Sequence, residues 1–600
     1  MSYRSIAVLA GACAVIAAGV WWWAARTPRW NVVLITLDTT RADHLGCYGR
    51  TAAATPNLDW LASQGVLFEH AYTVVPITLP AHATLLTGLL PPEHGLRING
   101  TSRLPDSIPT LAETLQRAGY RTGAFVSSLV LDARFGLARG FEHYDDRLGI
   151  GPNGPHVERP ASNSVSEAIA WLDTVASESF LCWVHLYDPH EPYDEHRRDF
   201  DDQFAGRPYD AEIAYMDRHI GRLLDFLQRL DVDDRTLIVI AGDHGEGLGE
   251  HAEPTHGYLA YNSTLHVPLI VRRPDGEQSG ARVAEPVSLA DVFPTILDSL
   301  EREVPSGLFG RSLLPYWQDI VPAPRPCYGE TEAPLMEAGW CPLRTWTTAR
   351  WKYIHSTQPE LYDLPADPHE TQNLLAQQAP VAAELSEELA DFESKLRLHL
   401  GTSAVLSEQE QRALASLGYT GGHVVAHPGD TPRRDIKETL QYAEQVHQCM
   451  HLVDRNEFSQ AQQILEGVVE ALPDYSKAWG TLGVCLAKQE NYAAAEQNFR
   501  QALVLDANQN FARIGLGRVL FAQDRLEECA DELRAAVSKE PAALDAQYYL
   551  GEACRRLRRW DESRTAFEAA LEISPGFADA EAGLANLAHD QAHADETERR

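Results

Sequence analysis

Three short apolar runs in this sequence end on residues that can hold a cation or move a proton. Asn31–Leu37 (NVVLITL) is followed by Asp38. Phe180–Tyr187 runs into Asp188 and His190 within HLYDPH, and Thr236–Ala241 (TLIVIA) into Asp243 and His244 within GDHGEGLGE. Carboxylate and imidazole together suit manganese, zinc, calcium or magnesium. A divalent ion held there would polarise an ester and lower the pKa of a hydroxyl nucleophile. Thr78-Leu79-Pro80-Ala81-His82 offers such a hydroxyl at the start of a helix beginning near Leu79. A helix N-terminus favours both an alkoxide and a bound anion. The plainer reading is structural: Asp38 and Thr78 as caps, Asp243 opening a turn, and the histidines buried for packing.

The elements that would position these residues alternate. Thr55–Gly65 and Leu111–Gly119 read as helices ending in glycine, Tyr120–Ser127 as a strand, and Ala211–Leu230 as an amphipathic helix. Strands of continuous apolar character between helices predict an α/β domain with a mostly parallel sheet sandwiched by helices. Such sheets bind ligands beyond the carboxyl ends of their strands, where all three polar stretches fall.

Farther along, a different periodicity takes over. Ala461, Ala495, Cys529 and Ser563 are spaced by 34 residues, as are Leu465, Phe499, Leu533 and Phe567. Gly483, Gly517 and Gly551 repeat with the same period, and so do Pro473, Ala507, Pro541 and Pro575. Small residues let paired helices approach, large apolar ones fill the gap, and proline ends the unit. Trp479-x-x-Leu482-Gly483 makes this similar to a tetratricopeptide array, an all-α solenoid. Three full units are expected, with a partial one near Phe577–Ala588. The chain therefore divides into an apolar N-terminal segment (1–29), a hydrolase-like domain (30–400), a linker (401–435) and the repeats (436–600).

The chain has 600 residues, 44% hydrophobic and 23% charged, which is a globular composition; its formal net charge of −34 argues against a nucleic-acid partner. Ser5–Ala25 is an uncharged run ending near Trp21, Trp22 and Trp23. Its length exceeds a signal-peptide core, so a single-pass anchor is expected over a cleaved leader. Arg4 on one side and Arg26 and Arg29 on the other leave orientation nearly undetermined. Of nine cysteines, Cys327 and Cys341 could pair outside the cytoplasm, and no zinc-ribbon spacing occurs.

The order of the motifs is specific. Asn31–Gly49 (NVVLITLDTTRADHLGCYG), Thr55–Phe68 (TPNLDWLASQGVLF), Leu79–Gly88, Gly242–Glu250 and Leu361–Leu374 (LYDLPADPHETQNL) resemble successive motifs of the sulfatase family within the alkaline phosphatase superfamily. The resemblance runs from about residue 30 to 378. It implies an alkaline-phosphatase-like fold, a divalent metal ion of the types above, and Asp38, Asp243 and His244 as ligands, with Thr78 at the nucleophile's place and itself bound to the metal as the alkoxide.

That place is where the chain departs from the family pattern. Sulfatases carry a Cys or Ser in C-x-P-S-R that is oxidised to formylglycine, and threonine cannot be. Phosphoryl-transferring relatives use a plain threonine, which would attack and form a phosphothreonine resolved by water or an acceptor alcohol. The family's Lys-x-His pair after a Gly-Tyr-x-Thr strand is replaced by Ser127 and Leu129 after Gly119-Tyr120-Arg121-Thr122. His82 replaces an arginine, and His256 falls near a late lysine. His190 matches a histidine that contacts the ester and can protonate the leaving group. Alternatively Asp188 with His185 or His190, plus His256, could hold a second metal.

The leading expectation is a hydrolase or transferase of phosphoesters with Thr78, His82, His190 and His256 as catalytic residues. The alternatives are a sulfate ester hydrolase working without formylglycine, and a degenerate domain serving as a scaffold. By resemblance to exported relatives, the catalytic domain is expected on the periplasmic side, near a lipid or envelope substrate. The repeats are expected to bind a protein or peptide and to add nothing to the chemistry, so that truncation near residue 430 would spare the hydrolysis of small substrates.

Overall fold

The computed structural model describes residues 30–599 apart from 101, 149, 152–153, 156–157, 194–195, 201–202, 319, 400, 404–431 and 575. Eight strands form the central sheet: β1 (Asn31–Leu37), β2 (Val66–Phe68), β3 (Arg121–Phe125), β4 (His143–Asp145), β5 (Phe180–Leu186), β6 (Thr236–Gly242), β7 (Leu269–Arg272) and β8 (Ala281–Val283). Their order is β8-β2-β7-β6-β1-β5-β3-β4. From β6 through β1, β5 and β3 to β4 every pairing is parallel. The sheet turns antiparallel at β7, which pairs that way with both β6 and β2. It is therefore mixed, although most of its pairings are parallel. β1, β5 and β6 are buried along their whole length, as their largely apolar sequences favour.

Helices cover both faces. α1 (Pro56–Gln64) starts on a proline. α2 (Thr78–Thr87) is buried throughout and ends at Gly88, in the left-handed region. α3 (Leu111–Arg117) opens with a capping box in which Thr110 and Glu113 exchange hydrogen bonds. α4 (Ala161–Val175) and α5 (Pro208–Arg229) lie over one face, and α6 (Val292–Ser299) packs with α2 on the other. A second, antiparallel sheet follows, made of β9 (Cys327–Thr331), β10 (Leu343–Thr347), β11 (Trp351–His355) and β12 (Glu360–Asp363), with α7 (Ala379–Ser394) across it.

Among the described residues the repeats are nine helices: α8 (Ile436–Asp454), α9 (Phe458–Ala471), α10 (Ser476–Lys488), α11 (Tyr492–Leu505), α12 (Asn510–Ala522), α13 (Leu526–Lys539), α14 (Leu544–Arg556), α15 (Trp560–Ile573) and α16 (Ala578–Arg599). The array thus has one more helix pair than the sequence suggested, formed by α8 and α9. The tight turn inside each pair places Asn456, Glu490, Asp524 and Arg558 at positive φ, again at the repeat period. Glycine columns make the close approach possible. A Cβ at Gly483 would meet the Phe499 ring at 2.8 Å, and one at Gly551 would meet Phe567 at 2.7 Å.

Two expectations are corrected. Among the described residues no helix is long and apolar enough to cross a membrane. The single-pass membrane assignment is withdrawn, and with it the periplasmic placement that rested on resemblance to exported relatives; the run 5–25 that prompted the first lies outside the described residues. Cys327 and Cys341 are free thiols, Cys327 buried within β9 and Cys341 with its Sγ 3.4 Å from the Pro342 carbonyl.

The hydrolase-like unit and the repeats share one apolar cluster. Tyr261, Leu265, Trp340 and Tyr362 pack in it with Ile436, Leu440 and Ala443 of α8. The Trp340 and Tyr475 rings lie 4.9 Å apart. Asp435 caps α8 and also accepts the Gln358 N–H at 2.9 Å. The first repeat is thus fastened directly to the second sheet.

Candidate active site

Asp38 and Asp243 leave adjacent parallel strands at the same level. The Asp38 N–H donates to the Leu186 carbonyl and the Asp243 N–H to that of Leu37, so β1, β5 and β6 fix where both carboxylates begin. Asp243 Oδ1 accepts the N–H groups of His244 (2.7 Å) and Thr39 (3.2 Å). Asp243 Oδ2 and Asp38 Oδ1 are buried with no hydrogen-bond partner. His244 Nε2 lies 3.6 Å from the first of these oxygens and 3.9 Å from the second. Burial and then Asp38's charge push the Asp243 carboxyl well above the usual range; burial and then Glu246 do the same to Asp38. Two orphaned buried carboxylate oxygens beside an imidazole nitrogen are what a divalent cation would satisfy, and the ligand atoms of Asp38, Asp243 and His244 all lie within 4.8 Å of one another.

Thr78 is the first residue of α2, and its Oγ1 lies 3.2 Å from His244 Nε2. The tautomers follow from the fixed partners. His244 Nδ1 donates to the Gly245 carbonyl (3.0 Å) and His190 Nδ1 to the Glu191 carbonyl (2.8 Å). His256 Nδ1 donates to Glu246 Oε1 at 3.0 Å. Each ring is held by an oxygen at Nδ1, which leaves Nε2 with its lone pair, the arrangement that orients metal-binding and basic imidazoles. The rings converge: His256 stands 4.4 Å from His244 and 5.1 Å from His190, centroid to centroid. Burial lowers all three, His190 to about 3 and His256 to about 4, so they are neutral.

Other residues support this group. The Ser127 N–H donates to His185 Nδ1 at 3.2 Å, so His185 Nε2 carries a proton and donates to Asp38 Oδ2 at 3.0 Å. His82 lies behind Thr78: its Nδ1 donates to the Thr78 carbonyl at 2.8 Å and its Nε2 accepts from the Thr36 hydroxyl at 2.9 Å, so it steadies the first turn of α2. Asp188 Oδ1 accepts the Ala161 N–H, anchoring the start of α4. Asp188, His190 and His256 belong to neither of the two cation-sized groups found among the described residues; the second of those groups is His82, His185 and Asp243.

Glu246 and the loop after it carry no role in the sequence reading. Their signal was the glycine spacing in GDHGEG. A Cβ at Gly245 would sit 2.1 Å from the Ser263 carbonyl oxygen, and one at Gly247 would sit 2.2 Å from that of Glu253. Only glycine lets this strand-end loop fold back and present Glu246 to His256. Glu253, in the returning segment, accepts the N–H groups of Tyr258 (2.9 Å) and Leu259 (3.0 Å) at one oxygen. Burial pushes its carboxyl from 4.5 up to about 8. Between those values the folded state binds the extra proton, so stability falls as pH rises. Glu253→Gln, neutral and similarly shaped, should flatten the decline in Tm between pH 5 and 8; an unchanged decline would remove Glu253 as its source.

Residues 30–301 match the sulfatase family model, and residues 249–395 match the C-terminal region of N-sulphoglucosamine sulphohydrolase. The chain carries a sulfatase-family hydrolase domain. Tetratricopeptide models match 450–510 and 514–576. The sulfatase domain is 27% identical over 445 residues to the sulfatase YidJ of Escherichia coli, covering 61% of this chain and 88% of that protein. It is 26% identical over 422 residues to an ulvan-active sulfatase of Formosa agariphila, covering 60% and 81%. The phosphonate monoester hydrolase of Agrobacterium radiobacter shares its fold, with a TM-score of 0.54 at 24% identity, covering 61% of this chain and 96% of that one.

Proposed function

We propose that the sulfatase domain cleaves or transfers a phosphoester, with Thr78 as nucleophile and Asp38, Asp243 and His244 holding a divalent cation. The observation that carries this reading is the Thr78 hydroxyl 3.2 Å from His244 Nε2, facing the orphaned oxygens of Asp38 and Asp243. The cation, when bound, polarises the ester and favours ionisation of the hydroxyl. The start of α2 holds Thr78 Oγ1 beside His244, with the helix dipole favouring negative charge there. His185 and Ser127 orient Asp38. The His256 ring lies beside those of His244 and His190, so two further neutral imidazoles stand next to the proposed cation ligand.

Phosphorus is favoured over sulfur by what stands at the family's cationic positions. Ser127 turns its hydroxyl to the His185 carbonyl (2.5 Å), and Leu129 packs into the core. Neither reaches toward an ester, and a threonine has no route to formylglycine. A sulfate ester hydrolase using unmodified threonine is the second reading, supported by the relatives' names. The repeats are assigned to a protein or peptide partner.

The test compares aryl phosphate, phosphodiester, phosphonate and sulfate with one leaving group. Phosphorus esters should turn over faster, and acid quenching should trap phosphate on Thr78. A strong preference for sulfate would reverse the choice.

A further inference from the structure

The loop carrying His256 is held from outside its own segment. Glu246 takes His256 Nδ1, and the Thr331 hydroxyl on β9 donates to the Gly257 carbonyl. Gly257 itself has φ +108 and open space around it, so it constrains its neighbours little. The backbone N–H groups of Tyr258 and Leu259 are held by Glu253, and the Tyr258 side chain adds a restraint from outside the segment. The Tyr258 hydroxyl donates to Glu337 Oε2 at 2.8 Å, and Lys477 Nζ donates to the same oxygen at 2.8 Å. Lys477 belongs to α10, in the second helix pair of the repeats, and the Lys477 and Glu337 side chains are only 8% and 9% exposed. A pair so sheltered is not a screened surface contact.

From this geometry we propose that Lys477 is a positioning residue for His256, acting through Glu337 and Tyr258, so that the repeat array sets the turnover of the sulfatase domain. The proposal rests on the reading that His256 faces the reacting ester. Glu337 is the hinge of the link. With Lys477 in place its carboxylate is neutralised and stationary, and it fixes the Tyr258 ring. Without Lys477 it is a sheltered, uncompensated charge that must turn toward water or take up a proton, and Tyr258 then loses its acceptor. The loop pivots at Gly257, and His256 loses its registry with His244 and His190. The expectation that the repeats add nothing to the chemistry is thereby reversed: their first two helix pairs buttress the site.

The experiment uses the full chain loaded with the divalent ion that best supports turnover of an aryl phosphate. Lys477→Met keeps the apolar stem and removes the charge. It should lower kcat about tenfold or more, the scale of a lost outer-shell partner, with KM and bound metal within about twofold of wild type. Lys477→Arg should recover most of the loss. Tyr258→Phe cuts the same link from the sulfatase side, leaves the Lys477–Glu337 pair intact, and should reproduce the kcat loss if Lys477→Met does not fold. In a His256→Ala background, Lys477→Met should cost less than about twofold more, because the residue it positions is gone. An unchanged kcat in folded Lys477→Met, a rise in KM alone, or a full multiplicative loss in the His256→Ala background would each overturn the proposal. Wild-type turnover by His256→Ala would instead overturn the role given to His256 in the proposed function.

Discussion

Thr78→Ala should lower ester turnover by about 10³-fold or more and leave the fold intact. The substitution removes the hydroxyl that faces His244 Nε2 and the orphaned carboxylate oxygens. It also removes a methyl group from a buried position, a volume small enough to cost little stability. The first turn of α2 keeps its other ties, because the Leu79 N–H still donates to Asn99 Oδ1 and His82 still holds the residue 78 carbonyl. Thr78→Ser retains the oxygen and should keep part of the activity. The check is kcat/KM on an aryl phosphate beside the circular dichroism spectrum and Tm. Near-wild-type rates from a folded Thr78→Ala protein would remove Thr78 as nucleophile.

The second large effect is expected at the carboxylate–imidazole group. Asp243→Asn can keep the acceptor that serves the Thr39 and His244 N–H groups, but it then turns an NH₂ toward the place of the orphaned Oδ2. A donor is put where a cation would sit, so the loop should hold while the metal is lost. His244→Ala removes Nε2 from the same point. Each should weaken metal binding by about 10-fold to 100-fold or more, and activity should fall in step. A chelator should inactivate the wild-type chain and added divalent ion restore it. Metal content and rate that ignore both substitutions would refute cation binding by these residues.

The same residues show how much of the site the sequence exposed. Asp38 and the Asp243–His244 pair stand out as candidates because each follows a largely apolar, buried strand. A polar residue there has to face the sheet's carboxyl edge. Thr78 was legible because it precedes a helical run and sits where a family motif has its nucleophile. His82, His185 and Asp188 bear the same side-chain types, yet they brace Thr78, Asp38 and α4. Side-chain type does not distinguish a ligand from its support. The difference lies in what each side chain meets in the fold: His185 takes the Ser127 N–H at Nδ1 and turns Nε2 to Asp38, while His82 holds the Thr78 carbonyl.

The sequence by itself determined the α/β domain, the helical array and the level at which its three polar stretches emerge. Those properties follow from local periodicity and from strand ends, which are encoded by neighbouring residues. The antiparallel turn at β7, the hydrogen bond of His185 to Asp38, the fastening of α8 onto the second sheet and the link from α10 to Tyr258 were decided only in three dimensions. Each depends on a contact between segments far apart in the chain, such as Lys477 with Glu337 or the Ser127 N–H with His185 Nδ1. No spacing records such contacts, because burial pairs a charge with whichever partner the packing brings within reach.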